Sequence, residues 1–227
     1  MHHRFDVLMP VHKGLRHALS GLCFRAGSMD VSDDNELRSF ADELGKIVII
    51  LESHAHDEDA HMHHLYERFA PDTAAKLEEE HTVLDGAIGE LQQLVETARN
   101  ASSVEERKQV WYGLNRKLTR FTADYFQHLQ REETEGAETL WNNMTDEQLK
   151  EVSVNIRSSI PPATMMIFLH YMMPALNFDE RFGILNDMRQ FAPPEAYRAV
   201  RELARSRLSA VDWETLRSKL DAMSTAG

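Results

Sequence analysis

The chain has one cysteine in 227 residues, Cys23, which excludes an internal disulfide framework and suits a reducing compartment. Beside Leu22 near a helix end, Cys23 reads as a small buried hydrophobe rather than a redox group. Basic charge is also scarce. With 25 Lys and Arg against 37 Asp and Glu, the formal net charge is −12, so no basic patch is expected to meet phosphates and nucleic acid is not an expected partner. Long apolar runs are missing too. The opening MHHRFDVLMPVHKGL has no uninterrupted stretch of signal-peptide character. The most apolar stretch, PPATMMIFLHYMMPALNF over 161–178, is too short and too interrupted by His170 and Pro174 to span a bilayer. A cytoplasmic protein with no membrane association is expected. There is no Gly-rich phosphate loop, Cys-based zinc motif, nucleophilic-triad signature or long-period repeat. The length nevertheless allows a large core, as one domain or as a bundle with an extension.

What the chain does have is four helix-length apolar stripes, each interrupted by histidine. The first runs through Phe5, Leu8, His12, Leu15, Leu19 and Leu22. The second runs through Leu37, Leu44, Leu51, His54, Glu58, His61 and Leu65. Leu77, His81, Leu84, Ile88 and Leu91 make the third; Trp111, Leu114, Leu118, Phe121, Tyr125, His128 and Glu132 make the fourth. Steps of three and four place each stripe on one helix face, the face that packed helices bury.

A buried ionised carboxylate without a partner is prohibitive, and a buried imidazole needs its nitrogens satisfied. One histidine on one stripe would read as a hydrogen-bonded core residue. Four stripes with a histidine each, two of them carrying H-x-x-x-E, point to metal, because side chains at i and i+4 converge beside the helix. A dinuclear centre inside a four-helix bundle is built this way. The six candidate ligands are His12, His54, Glu58, His81, His128 and Glu132.

Breaks at Gly27–Asn35, Pro71-Asp72 and Asn100–Ser103 place the helices at about 5–26, 35–69, 73–99 and 104–142, with Ser103 and Glu106 as a capping box. Short connections between long helices predict an up-down-up-down bundle. In that topology, late on helices two and four (His54, His128) is the same end as early on helices one and three (His12, His81). All six candidates can therefore meet.

After Trp141 shorter helices are expected at about 146–158, 162–174, 179–191, 194–208 and 213–222, with Thr145 and Gln148 as another capping box. The chain thus divides into residues 1–143, a metal-binding bundle, and 144–227, a helical extension that is a candidate surface for a protein partner. Met165, Met166, Met172 and Met173 read as gap-filling core.

At VHKGLRHAL around His12, HAHDEDAHMHHL from His54, LEEEH ending at His81 and HLQREE from His128, the chain resembles the hemerythrin-like, HHE cation-binding family over about residues 5–142. The extension is more loosely similar to the helical tail of some bacterial members. The resemblance implies a non-haem di-iron centre bridged by two carboxylates and an exogenous oxygen. His12, His54, His81 and His128 would be terminal ligands, and Glu58 and Glu132 the bridges. Oxygen-carrying hemerythrins have a fifth histidine one turn after the helix-three ligand, where this chain has Asp85. Either the metals keep extra open positions, or Asp85, Glu80 or His61 fills the gap.

His17, His56, His63 and His64 fall off the stripes and are expected in solvent, and His2 and His3 precede the first stripe. Tyr125 and Asp124, one turn before His128, are placed to hydrogen-bond near the centre or to serve as ordinary bundle residues. Imidazole and carboxylate donors suit iron, manganese or zinc, and the family resemblance selects two irons. The expected function is binding of a small diatomic or anionic ligand (O2, NO or peroxide) in oxygen, redox or iron handling. The alternatives are a di-iron oxidoreductase and a metal-dependent sensor or interaction module without turnover.

Overall fold

A computed structural model describes residues 4–224, so His2 and His3 lie outside the described residues. The fold is a helical bundle, and no strand occurs among the described residues. In chain order the helices are α1 (Met9–Ser28), α2 (Asp34–His61), α3 (His63–Phe69), α4 (Pro71–Arg99) and α5 (Val104–Arg131). A π-helical turn (Glu132–Gly136) follows, then α6 (Ala137–Asn143), α7 (Asp146–Ser159), α8 (Pro162–Ala175), α9 (Phe178–Phe191), α10 (Pro194–Arg207) and α11 (Ala210–Ser224).

The helix starts follow local chemistry. Asp6 Oδ1 accepts from the backbone N–H of Leu8 and of Met9, satisfying donors that the first turn of α1 leaves open. Asp33 caps α2 by accepting from Asn35 N–H at 2.7 Å. Pro71 occupies the start of α4, where a missing N–H costs nothing. Ser103 caps α5 through Glu106 N–H, while the Glu106 carboxylate turns to Ser102 N–H rather than completing the expected box. The Thr145/Gln148 box forms in full.

Two compact units are present. The first comprises Met1–Met9 with Ala18–Pro161, so it runs past residue 143 and includes α7. In it α4 packs along α5, and α2 and α3 pack on α4. The stripe residues Leu37, Leu44, Leu51, Leu84, Ile88, Leu91, Leu114, Leu118 and Phe121 are buried. Trp111 donates its indole N–H to Ala26 O at 2.8 Å and meets Phe40 edge-on. A further cluster of Leu8, Met62, Tyr66, Ala74, Leu77, Leu140 and Leu149 lies one turn beyond the candidate ligands.

Two long helices expected to be continuous are not. The 35–69 helix breaks at Met62, whose φ of −121° and ψ of −33° separate α2 from α3. The inner face continues from Glu58 through Met62 and Tyr66, which are buried, while His61 and Leu65 are only partly covered. In the 104–142 helix the π turn accommodates one extra residue directly at Glu132. Such single turns occur often at functional sites.

The second unit comprises Pro10–His17 and Pro162–Gly227. Its core is Leu169, Met173, Leu185, Val200, Ala204, Leu216 and Leu220, with Met165 and Met166 packed against it. Asn177 and Glu180 form a reciprocal cap on α9, and Lys13 Nζ donates to Glu180 Oε1 at 2.6 Å. Gly14 lies against α8: a Cβ there would stand 2.6 Å from Met172 Cγ and 3.3 Å from its backbone. Gly21, in the same helix, has nothing within 4 Å of such a Cβ. Gly14→Ala should therefore destabilise the protein by about 1–3 kcal/mol through overpacking. Gly21→Ala should stabilise it by about 0.5–1 kcal/mol through helix propensity. Denaturant titration of both variants checks this, and equal behaviour would refute the close approach.

Candidate metal centre

The six stripe residues singled out from sequence come together. Ligand atoms of His12, His54, Glu58 and Glu132 lie within 4.8 Å of one another, and so do those of Glu58, His81, His128 and Glu132. The two groups share both carboxylates and divide the four imidazoles in pairs. His12 is fully buried, Glu132 is 1 % exposed and Glu58 6 %; His81 is only partly covered.

Helical spacing sets the local geometry. His54 Nε2 stands 3.5 Å from Glu58 Oε1 on α2, and His128 Nε2 stands 3.0 Å from Glu132 Oε1 across the start of the π turn. His81 on α4 approaches both carboxylates, at 3.6 Å from Glu58 Oε2 and 3.9 Å from Glu132 Oε1. The His81 and His128 rings meet edge-on at 4.7 Å.

These contacts set the proton affinities of the metal-free chain. Burial disfavours the charged form of His128, but Glu132, by charge and hydrogen bond, outweighs it with help from Glu58 and Glu80. The net effect raises His128 to about 9. His81 is also raised: burial again opposes, and Glu58 and Glu132 prevail although the neighbouring His128 works against them. Protons thus supply the positive charge that the paired carboxylates demand.

Outward from the centre, His128 Nδ1 lies 3.0 Å from Glu80 Oε2, and Glu80 Oε1 accepts from Arg131 Nε at 2.9 Å. Glu80 therefore holds the back of a candidate ligand and is absent from both groups. Asp85 is exposed and also belongs to neither. His61 turns to Ser159, with Nε2 3.3 Å from Oγ, and Ser159 donates to Asp57 at 3.1 Å. Of the histidines expected in solvent, His17, His56 and His64 are exposed. His63 is partly covered, 3.7 Å from Glu67.

Tyr125 is buried, its ring 6.0 Å from that of His128. Burial, then Glu132, Glu58 and Asp85, push its phenol well above the ordinary range. A second phenol was not marked by the stripes. Tyr66 is 2 % exposed, and its hydroxyl has no hydrogen-bond partner among the described residues. Burial, then Glu58, Glu132 and Asp6, raise it well above the usual value. The one available signal was its step of eight from Glu58, which a straight helix carries off the inner face.

The donor set fits a metal of the iron, manganese and zinc group, since imidazole and carboxylate together suit these ions. No helix among the described residues is long and apolar enough to cross a membrane. No curated protein and no solved structure matches the chain. The model of the hemerythrin HHE cation-binding domain matches residues 3–138, which include all six candidates. With more than half of its length so matched, the chain belongs to the hemerythrin HHE cation-binding domain family.

Proposed function

We propose that this chain is a cytoplasmic di-iron protein that binds a small diatomic or anionic ligand. His12 and His54 hold one metal, His81 and His128 hold the other, and Glu58 and Glu132 bridge them. The observation that carries this reading is the sharing of both buried carboxylates by two histidine pairs within 4.8 Å. A carboxylate that serves two cations has its charge compensated on both oxygens, which a single ion between these residues would not achieve. An alternating up-and-down course of α1, α2, α4 and α5 would bring the six residues to one end of the bundle.

Iron bound there supplies open coordination positions and one-electron redox chemistry. The protein's own part is to place the donors, neutralise them and exclude water. Four imidazoles and two bridging carboxylates give eight donor atoms. Two octahedral ions sharing an oxygen bridge need about ten, which leaves about two positions for a further ligand. Buried Leu15, Leu51, Leu84 and Phe121 continue the stripes and keep the surroundings apolar.

Elemental analysis after ferrous reconstitution should give about two irons per chain. Glu58→Gln and Glu132→Gln should lower both iron content and melting temperature, because a metal bound only to the native state stabilises it by mass action. His56→Ala and His64→Ala, both at exposed positions, should leave iron content unchanged. Azide added to the ferric protein should change its near-ultraviolet absorption. One metal per chain, or equal losses in the exposed-histidine variants, would overturn the dinuclear reading; two irons with no azide response would instead indicate a closed centre.

The raised His128 gives a separate expectation for the metal-free chain. Its folded value of about 9 exceeds the ordinary 6.5, so the folded state binds the proton more tightly. The resulting stabilisation is complete below the ordinary value and is lost as pH rises through about 9. Chemical denaturation of metal-free protein should show stability declining across that window. His128→Gln should remove that part of the decline, and an unchanged slope would contradict the assignment.

A further inference from the structure

One turn beyond the candidate ligands lies an apolar cluster. Leu8 precedes His12 by four residues, Leu77 precedes His81 by four, and Met62 follows Glu58 by four. These three belong to one core cluster together with Tyr66, Ala74, Leu140 and Leu149. The Tyr66 hydroxyl is the exception, and it has no hydrogen-bond partner among the described residues. A buried hydroxyl left without a partner costs about 1–3 kcal/mol, so this position calls for something to meet the oxygen.

Gly136, four residues after Glu132 and the last residue of the π turn, touches the same atom. A Cβ at Gly136 would stand 3.1 Å from Tyr66 Oη, closer than an ordinary contact, and 3.4 Å from Cζ. The glycine leaves the phenol room to sit at the inner face of α5's continuation. On the other side, Tyr66 lies in α3, which starts just after the break at Met62, and is buried. Met62, at the break, and Gly136, at the end of the π turn, each follow a carboxylate by four residues, and Gly136 adjoins the Tyr66 oxygen. After burial itself, the charges of Glu58 and Glu132 are the largest influences on that phenol.

The three residues that the sequence offers for the open coordination positions do not supply them. Asp85 is exposed, Glu80 is engaged by His128 and Arg131, and His61 by Ser159. We propose that Tyr66 is a further metal ligand, its phenolate oxygen taking one of the positions that the imidazoles and carboxylates leave open. The inference rests on the di-iron reading above. In the step, the phenol O–H bond breaks, the oxygen lone pair goes to the metal and the proton leaves to solvent. No electron is transferred and no co-reactant is needed. An anionic oxygen is a suitable donor to ferric iron, as tyrosinate is in other iron centres.

The test is the visible spectrum of full-length protein loaded with ferrous iron and oxidised in air, with iron measured on the same sample. Wild type at about two irons per chain should show phenolate-to-ferric charge-transfer absorption. Tyr66→Phe should keep its iron and lose that band, Tyr125→Phe should keep it, and Gly136→Ala should shift or weaken it by crowding the oxygen. Two irons without the band, or a band that survives Tyr66→Phe or disappears in Tyr125→Phe, overturns the inference alone. Iron well below two per chain overturns the di-iron reading with it. Zinc-loaded wild type gives a measurement that needs no variant: the ultraviolet difference spectrum against metal-free protein should show about one tyrosinate per chain, because ligands bind deprotonated. Its absence at full zinc loading also overturns the inference.

Discussion

Two carboxylates, Glu58 and Glu132, sit almost completely out of water with their oxygens turned toward imidazoles. Desolvating an ionised carboxylate costs several kcal/mol even after relaxation, and only a well-placed cation offsets it. The rest of the first unit is arranged around that demand. Without metal, the positive charge comes from protons held unusually firmly on His81 and His128. A divalent ion at the proposed site would deliver more charge to the same oxygens, so its uptake would displace protons and couple folding energy to binding. The buried leucines flanking the ligands maintain this coupling, since admitting water would weaken both the demand and its satisfaction.

Much of this was legible from residue spacing alone. A His at i and a Glu at i+4 leave a mark that survives errors of two or three residues in the helix ends; four of the six residues came from such marks, and His12 and His81 from their places on apolar stripes. Glu132 shows the strength of the signal, since its H-x-x-x-E spacing from His128 holds although a π turn begins at the glutamate itself. The family match over residues 3–138 spans the same six positions.

The departures from periodicity were not legible, for a physical reason. Neither Pro nor Gly marks the break at Met62; it accompanies burial of Met62 and Tyr66 together in the cluster with Leu77 and Leu140. A stripe extended at constant pitch runs through His61 and Leu65, whereas the folded chain buries their next neighbours. Tyr66 was therefore missed by a one-residue change of register that only tertiary packing determines. Gly136 was passed over for a related reason. A glycine in a helical stretch reads as a small destabilisation, and its use is apparent only once the Tyr66 oxygen is seen 3.1 Å from where a Cβ would stand.

In the proposed centre, Glu80 would let one site serve both the protonated and the metal-bound state. With its pKa near 9, His128 in the metal-free protein carries a proton on each ring nitrogen at neutral pH. Nε2 faces Glu132 and Nδ1 faces Glu80, each at 3.0 Å. Replacing the Nε2 proton by a metal, as in the proposed centre, would leave the Nδ1 side unchanged, so the ring would not need to rotate or change tautomer between states. Glu80 can hold that position because Arg131, a permanent cation, donates to its other oxygen and also to Glu135. At the solvent end such pairs contribute little to stability. At the buried end the same chain of alternating charge keeps the imidazole oriented, which is why a glutamate outside the ligand groups belongs to the working structure of the centre.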